Sequence, residues 1–157
     1  MPQWTRRDFL KSSLATVLAG TGGAFSAPAK RSATDWVPLG NSGVQVTRLA
    51  FGTGTMGGRV QRELGQEQFT RLVRHAYDRG IRFFETADSY RGMPQMLATA
   101  LKGLPRDSYR LMTKFSWYRD MTDPKATIDR LRSDLGSEYL DILLIHCVRS
   151  PGWPGEL

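Results

Sequence analysis

The sequence predicts an α/β fold: a parallel sheet with helices between its strands and a β-hairpin in front of it. Three observations carry this. Apolar, β-rich runs begin near residues 48, 81, 110 and 140, about 30 residues apart. The segments between the runs carry a helical period. A Gly/Asn/Ser cluster ahead of the first run is flanked by two short β-rich stretches, which is the pattern of a hairpin.

In chain order, Trp36-Val37-Pro38-Leu39 and Val44-Gln45-Val46 form the hairpin around Gly40-Asn41-Ser42-Gly43, after a polar lead-in over 30–35 read as mobile. Residues 48–53 are a buried first strand. Phe69, Leu72, Val73, Ala76 and Tyr77 share one face of a helix over 66–79, and Gly80 sits where a C-terminal cap belongs. Residues 81–84 are the second strand, and about 93–102 the second helix. Residues 110–115 are the third strand. Asp123-Pro124 opens a third helix as N-cap and first-turn proline, with Ile128, Leu131 and Leu135 inward and Gly136 at its end. Residues 140–145 form a fourth strand, apolar enough for burial on both faces. Strand–helix alternation with this spacing is a βαβ repeat. Periodicity alone fits a barrel and a doubly wound sheet equally well.

Composition narrows the class. The 157 residues suffice for one domain but fall short of the roughly 250 that a complete β/α barrel needs. The formal charge of +7 is spread out, with arginines interleaved among acids. That is a solvated basic surface and argues against a nucleic-acid or membrane stripe. The single cysteine, Cys147, excludes an internal disulfide framework and a four-cysteine zinc site. His75 and His146 have no metal-ligand spacing, so no metal is expected.

The N-terminus reads as an address. Thr5-Arg6-Arg7-Asp8-Phe9-Leu10-Lys11 resembles the twin-arginine export pattern, and the run from Leu14 to Phe25 is too short and glycine-diluted to span a membrane. Ala27-Pro28-Ala29 then offers small residues to a signal peptidase, giving cleavage after Ala29, or alternatively after Ser26. Residues 1–29 are thus expected to be a signal peptide that engages the twin-arginine machinery and delivers a periplasmic or extracellular protein.

The polar residues favour a barrel. Glu85, Tyr90, Lys114 and His146 each fall at or just past the C-terminal end of a strand, where β/α-barrel enzymes place reacting groups. A tyrosine hydroxyl is a reluctant acid at neutral pH. A nearby ammonium stabilises its phenolate, and a carboxylate holds that ammonium charged and oriented. A histidine can orient a carbonyl or share a proton with the tyrosine. Together these can protonate a carbonyl oxygen while a hydride reaches its carbon. Cys147 beside His146 invites a Cys–His nucleophile reading, but neighbours on a strand point to opposite faces. Asp88 is read as a loop residue. The cluster Gly52-Thr53-Gly54-Thr55-Met56-Gly57-Gly58 lacks the order of a dinucleotide loop, and no helix is expected directly after it.

Gly80-Ile81-Arg82-Phe83-Phe84-Glu85-Thr86-Ala87-Asp88-Ser89-Tyr90 resembles the signature of the aldo-keto reductase family. Thr113-Lys114, Leu135-Gly136-Ser137-Glu138-Tyr139-Leu140-Asp141 with Ile145-His146, and the hairpin and first strand resemble further parts of that family, so that the likeness runs over about 36–147. It implies a (β/α)8 TIM barrel, of which this chain holds strands one to four, and NADPH-dependent reduction of a small aldehyde or ketone. It makes Tyr90 the general acid, Lys114 its partner, His146 the carbonyl-orienting residue, and Thr53, Gly54 and Glu85 neighbours of the NADP nicotinamide. The sequence departs at position 85, where the family has Asp and this chain Glu85. The extra methylene moves the carboxylate by about one carbon–carbon bond, and a displacement of about 1 Å can cost a hundredfold in rate. The resemblance also implies that strands five to eight, with most cofactor contacts, lie outside this sequence. The isolated fragment is then expected to be poorly stable and inactive. Two other classes fit the same residues: a non-catalytic binding protein derived from the barrel, and a half-barrel that pairs with itself.

Overall fold

The computed structural model describes residues 30–116 and 123–148. Residues 1–29, read from the sequence as an export signal, lie outside the described residues. The elements run β1 (Trp36–Pro38), β2 (Gln45–Thr47), β3 (Phe51–Gly52), α1 (Arg59–Glu63), α2 (Gly65–Asp78), β4 (Phe83–Glu85), α3 (Met93–Leu101), β5 (Arg110–Ser116), α4 (Pro124–Asp134) and β6 (Ile142–His146). β1 and β2 pair antiparallel as the expected hairpin. The other four strands form one parallel sheet in the order β3-β4-β5-β6. Sequential, neighbouring, parallel strands are the order of a β/α barrel wall, but no closed barrel forms among the described residues.

Helix ends set the strand starts. After α2, Gly80 adopts φ 91°; its N–H donates to Tyr77 O at 2.9 Å and the Ile81 N–H donates to Ala76 O at 3.0 Å. The same paired bonds end α4, where Gly136 (φ 56°) donates to Ser133 O and Ser137 to Arg132 O. Both are Schellman closures, and the left-handed residue at their centre costs glycine little. The start of α4 also follows expectation: the Asp123 side chain accepts from Ala126 N at 2.9 Å, with Pro124 in the first turn.

The core lies between one face of the sheet and the helices. Phe69 and Val73 of α2, Leu97 of α3, and Phe84 and Leu111 of the sheet are almost wholly buried in it. Alternate residues on a strand point to opposite faces. Accordingly Leu111, Thr113 and Phe115 face the helices and are buried, whereas Arg110, Met112 and Lys114 are only half-buried on the other face.

Several expectations need correction. A short helix, α1, begins directly after Gly58, whose φ of 82° turns the chain into it. It has no buried residue, so it leaves no apolar period to read. The first strand shrinks to Phe51–Gly52 because the N–H groups of Arg48 and Leu49 are taken by Asp35 O and Ala33 O, at 3.0 Å each. Those bonds tie down the lead-in expected to be mobile, and its Ser32 N–H donates to the Asp35 carboxylate at 2.8 Å. Ile128 and Leu72 stand at the edges of their helical stripes and are exposed. The fourth strand is not buried on both faces: Leu144, on the face turned away from the helices, is 41% exposed.

Candidate active site

The register of the sheet brings the site together. Glu85 is level with Met112, Leu144 with Lys114, and His146 with Ser116. Residues two apart share a face. Glu85, Lys114 and His146 therefore stand on one face, each about two residues higher toward the C-terminal mouth than the last. It is the face away from the helices, which spares their polar ends a fully apolar surrounding. Glu85 is the last residue of β4, where the sequence had placed it just beyond the strand.

Tyr90 arrives from the loop after β4. That loop continues the sheet ladder for several residues, with Thr86 N–H donating to Met112 O and Asp88 N–H to Lys114 O, both at 3.0 Å. The Asp88 carboxylate, almost wholly buried, accepts from Ser116 N at 3.2 Å and Ser116 Oγ at 3.0 Å. Asp88 is a loop residue, as expected, but it is the clamp that fixes the loop to β5. The tyrosine is thereby delivered back over the strand ends.

The four side chains converge. Lys114 Nζ forms an ion pair with Glu85 Oε1, donates to Thr86 O at 3.0 Å and reaches Tyr90 Oη at 3.4 Å. The Tyr90 ring meets the His146 imidazole edge-on, with centroids 5.5 Å apart at 85°. Ser89 Oγ lies 2.9 Å from His146 Nδ1. The Glu85 carboxylate thus still reaches the lysine despite its extra methylene.

Burial tunes the charges. It pushes the Tyr90 hydroxyl above its ordinary value, with a further rise from the charge of Cys147. Lys114 does not pull the phenol down in this resting arrangement; the cost of burying a phenolate is larger. Burial lowers the Lys114 ammonium to about 8. It also lowers His146, with added repulsion from Lys114, so the imidazole is neutral at pH 7. Tyr90 is accordingly protonated and His146 uncharged at neutral pH.

The expected cofactor neighbours divide. Thr53 is wholly buried, and its Oγ1 has no hydrogen-bond partner among the described residues. A residue with no exposed surface, backbone included, touches no bound group, so Thr53 does not reach a cofactor in this arrangement. Gly54 supports the tyrosine: a Cβ there would stand 2.7 Å from Tyr90 Cζ and Oη. Its backbone, partly exposed beside that ring, remains open to a flat group. Glu85 has its carboxylate committed to Lys114, and one oxygen would lie 3.1 Å from a Cβ at Gly52. The residues therefore fit a nicotinamide through the backbone of Gly54 and not through Thr53 or these side chains.

Sequence reasoning passed over Ser89 and the backbone turn at Cys147. Ser89 stands beside Tyr90 in the motif, and that adjacency was the available signal. For Cys147, strand alternation stops at His146, and the backbone turns at a φ of 57°. The thiol is exposed.

Comparisons with known proteins bear on the family and the fold. L-galactose dehydrogenase of Arabidopsis thaliana is 35% identical over 118 residues, which cover 69% of this chain and 36% of that protein. Glycerol 2-dehydrogenase (NADP(+)) of Saccharomyces cerevisiae is 28% identical over 119 residues, covering 74% of this chain and 33% of that protein. The chain thus spans about a third of the length of these curated relatives. Among solved structures, a thermostable aldo-keto reductase bound to the inhibitor epalrestat superposes with a TM-score of 0.62 at 23% identity, over 76% of this chain and 44% of that one. Residues 48–151 match the Aldo/keto reductase family, and the chain belongs to it.

Proposed function

We propose that this chain is the acid–base side of an NADPH-dependent reductase that converts an aldehyde or ketone to an alcohol. The observation that carries the reading is the run of contacts from Glu85 through Lys114 to Tyr90 Oη on the open face of the sheet. A carboxylate, an ammonium and a phenol in that order make a proton donor whose conjugate base is stabilised as it forms. Tyr90 Oη gives its proton to the substrate oxygen. Lys114, 3.4 Å away, stabilises the resulting phenolate. His146, neutral, donates to the same oxygen and orients the carbonyl. Glu85 in place of the family's aspartate keeps Lys114 charged and pointed at the phenol. Backbone at Gly54 borders the nicotinamide, which when bound supplies the hydride.

The four parallel strands form one wall of a (β/α)8 barrel, and the rest of the barrel supplies most of the cofactor contacts. The 157-residue chain alone is then inactive and poorly stable. The uncovered apolar Leu144 on the site face supports this, as does the span of about a third of the relatives. The arginine pair, apolar run and small-residue site of residues 1–29 support twin-arginine export to the periplasm or beyond.

The test is NADPH consumption by the complete protein, barrel-closing strands included, across short and aromatic aldehydes and ketones, with alcohol product identified. Tyr90→Phe should lower kcat about a thousandfold and leave the folded spectrum unchanged. No turnover of any carbonyl by the complete wild-type protein would overturn the reading.

A further inference from the structure

We infer that Ser89 is a positioning residue that donates to His146 Nδ1 and so fixes the imidazole as the tautomer with its hydrogen on Nε2. The inference rests on the proposed carbonyl reduction for its use, but not for its geometry.

The contact is 2.9 Å from Ser89 Oγ to His146 Nδ1, between half-buried groups far apart in sequence. A neutral imidazole has one N–H and one lone pair, and the partner of one nitrogen decides the role of the other. His146 is held neutral by burial and by the adjacent Lys114. Two arrangements satisfy the distance. In the first, the serine hydroxyl donates to Nδ1, and Nε2 carries the hydrogen. In the second, Nδ1–H donates to the serine oxygen, and Nε2 offers a lone pair.

Two features select the first, and a third holds the contact in place. His146 Nδ1 is the only acceptor within reach of the Ser89 hydroxyl among the described residues, so the second arrangement leaves the hydroxyl hydrogen unused by protein. The second also turns a lone pair toward the position of a carbonyl oxygen, lone pair against lone pair. Finally, the clamp of Asp88 on Ser116 holds the neighbouring backbone still. Ser116 is the residue level with His146 in the sheet. One rigid unit therefore carries both the serine and the strand that presents the histidine.

The consequence is a division of labour within Asp88-Ser89-Tyr90. Asp88 fastens the loop, Ser89 sets the histidine's donor and Tyr90 meets the substrate. Two hydrogen-bond donors, Tyr90 Oη–H and His146 Nε2–H, then converge on a single acceptor oxygen, as stabilising a developing alkoxide requires.

The experiment uses the complete protein with 15N-labelled histidine and no substrate, with a His146→Gln variant to assign the signal. Nitrogen chemical shifts report which ring nitrogen is protonated. Wild type and Ser89→Thr should show His146 with the hydrogen on Nε2, and Ser89→Ala should show a mixture of tautomers. In parallel, kcat for carbonyl reduction should fall about tenfold in Ser89→Ala, the worth of about one hydrogen bond. It should recover in Ser89→Thr, with KM for NADPH unchanged in both. A wild-type His146 with its hydrogen on Nδ1, or a tautomer unchanged in Ser89→Ala, overturns the inference. A tautomer that shifts as expected in a protein that reduces no carbonyl upholds Ser89 and overturns the proposed reaction instead.

Discussion

The sheet holds a half-buried carboxylate–cation cluster at each end, and the two clusters are built differently. At the N-terminal end, Asp141 accepts from Arg106 at 2.6 Å and from Leu111 N at 2.9 Å, and Arg110 stands 3.7 Å away. Arg106 also donates to Tyr139 O and Ser137 Oγ and lies over the Tyr139 ring. At the C-terminal end, Glu85 has one cation, Lys114, and that cation is shared with a carbonyl and a phenol. Asp141 is saturated with fixed partners, and its arginines cannot lose their charge near neutral pH. Glu85 faces a lysine whose charge burial has already weakened. A saturated arginine cluster serves the fold, while an under-supplied lysine cluster can move a proton.

The largest effect expected from breaking this contrast is at the mouth. Lys114→Met in the complete protein should lower kcat for carbonyl reduction about a thousandfold, because the phenolate left on Tyr90 loses its stabilising charge. At the base, Asp141→Ala should leave kcat nearly unchanged and cost about 3 kcal/mol of stability, since it strands two arginines and a backbone N–H. Urea unfolding of both variants checks the pair. A large kcat loss in Asp141→Ala would show that the two ends do not divide the work as described.

The third expected effect is smaller and tests the tyrosine's footing. Gly54→Ala puts a methyl group 2.7 Å from the Tyr90 ring. The ring must shift by something approaching an ångström, for an expected loss of about a hundredfold in kcat. Gly54 does not need a left-handed backbone, so stability should change by less than about 1 kcal/mol. A fully active Gly54→Ala would place the working Tyr90 elsewhere.

What was legible in the sequence follows from the same division. The strand and helix order could be read because Phe69, Val73, Leu97 and Leu111 bury one face of each element and print their period on the chain. The four residues that converge at the candidate site could be read because family motifs and strand ends coincide at them. Two kinds of feature left no such trace. Helix α1 buries nothing, and the shortening of the first strand depends on backbone bonds to residues 33 and 35, which carry no side-chain signal. The roles of Asp88, Ser89 and Asp141 depend on partners in other strands, which only the register reveals. The exposure of Leu144 reflects what covers the sheet, a property its own apolar run cannot state.

The smallest effect, and the sharpest test of the contrast, lies in pH. Lys114 has its ammonium lowered to about 8 from an ordinary 10.5. Between those values the unfolded chain binds a proton that the folded chain has released. Unfolding therefore takes up a proton, and stability rises with pH across that window. The gain reflects relief of a buried charge, and it begins as pH passes about 8. Above about 10 the trend reverses, because burial holds Tyr90 and Tyr109 above their ordinary 10.0 and the unfolded chain loses those protons first. The reduction rate should move the other way, falling as pH passes about 8 and Lys114 loses the charge that stabilises the phenolate. Urea midpoints from pH 7 to 10 for wild type and Lys114→Met separate the contributions. The rise should be present in wild type and missing from the variant. If both curves rise together, the charge that burial disfavours is somewhere other than Lys114, and the mouth loses the feature that distinguishes it from the base.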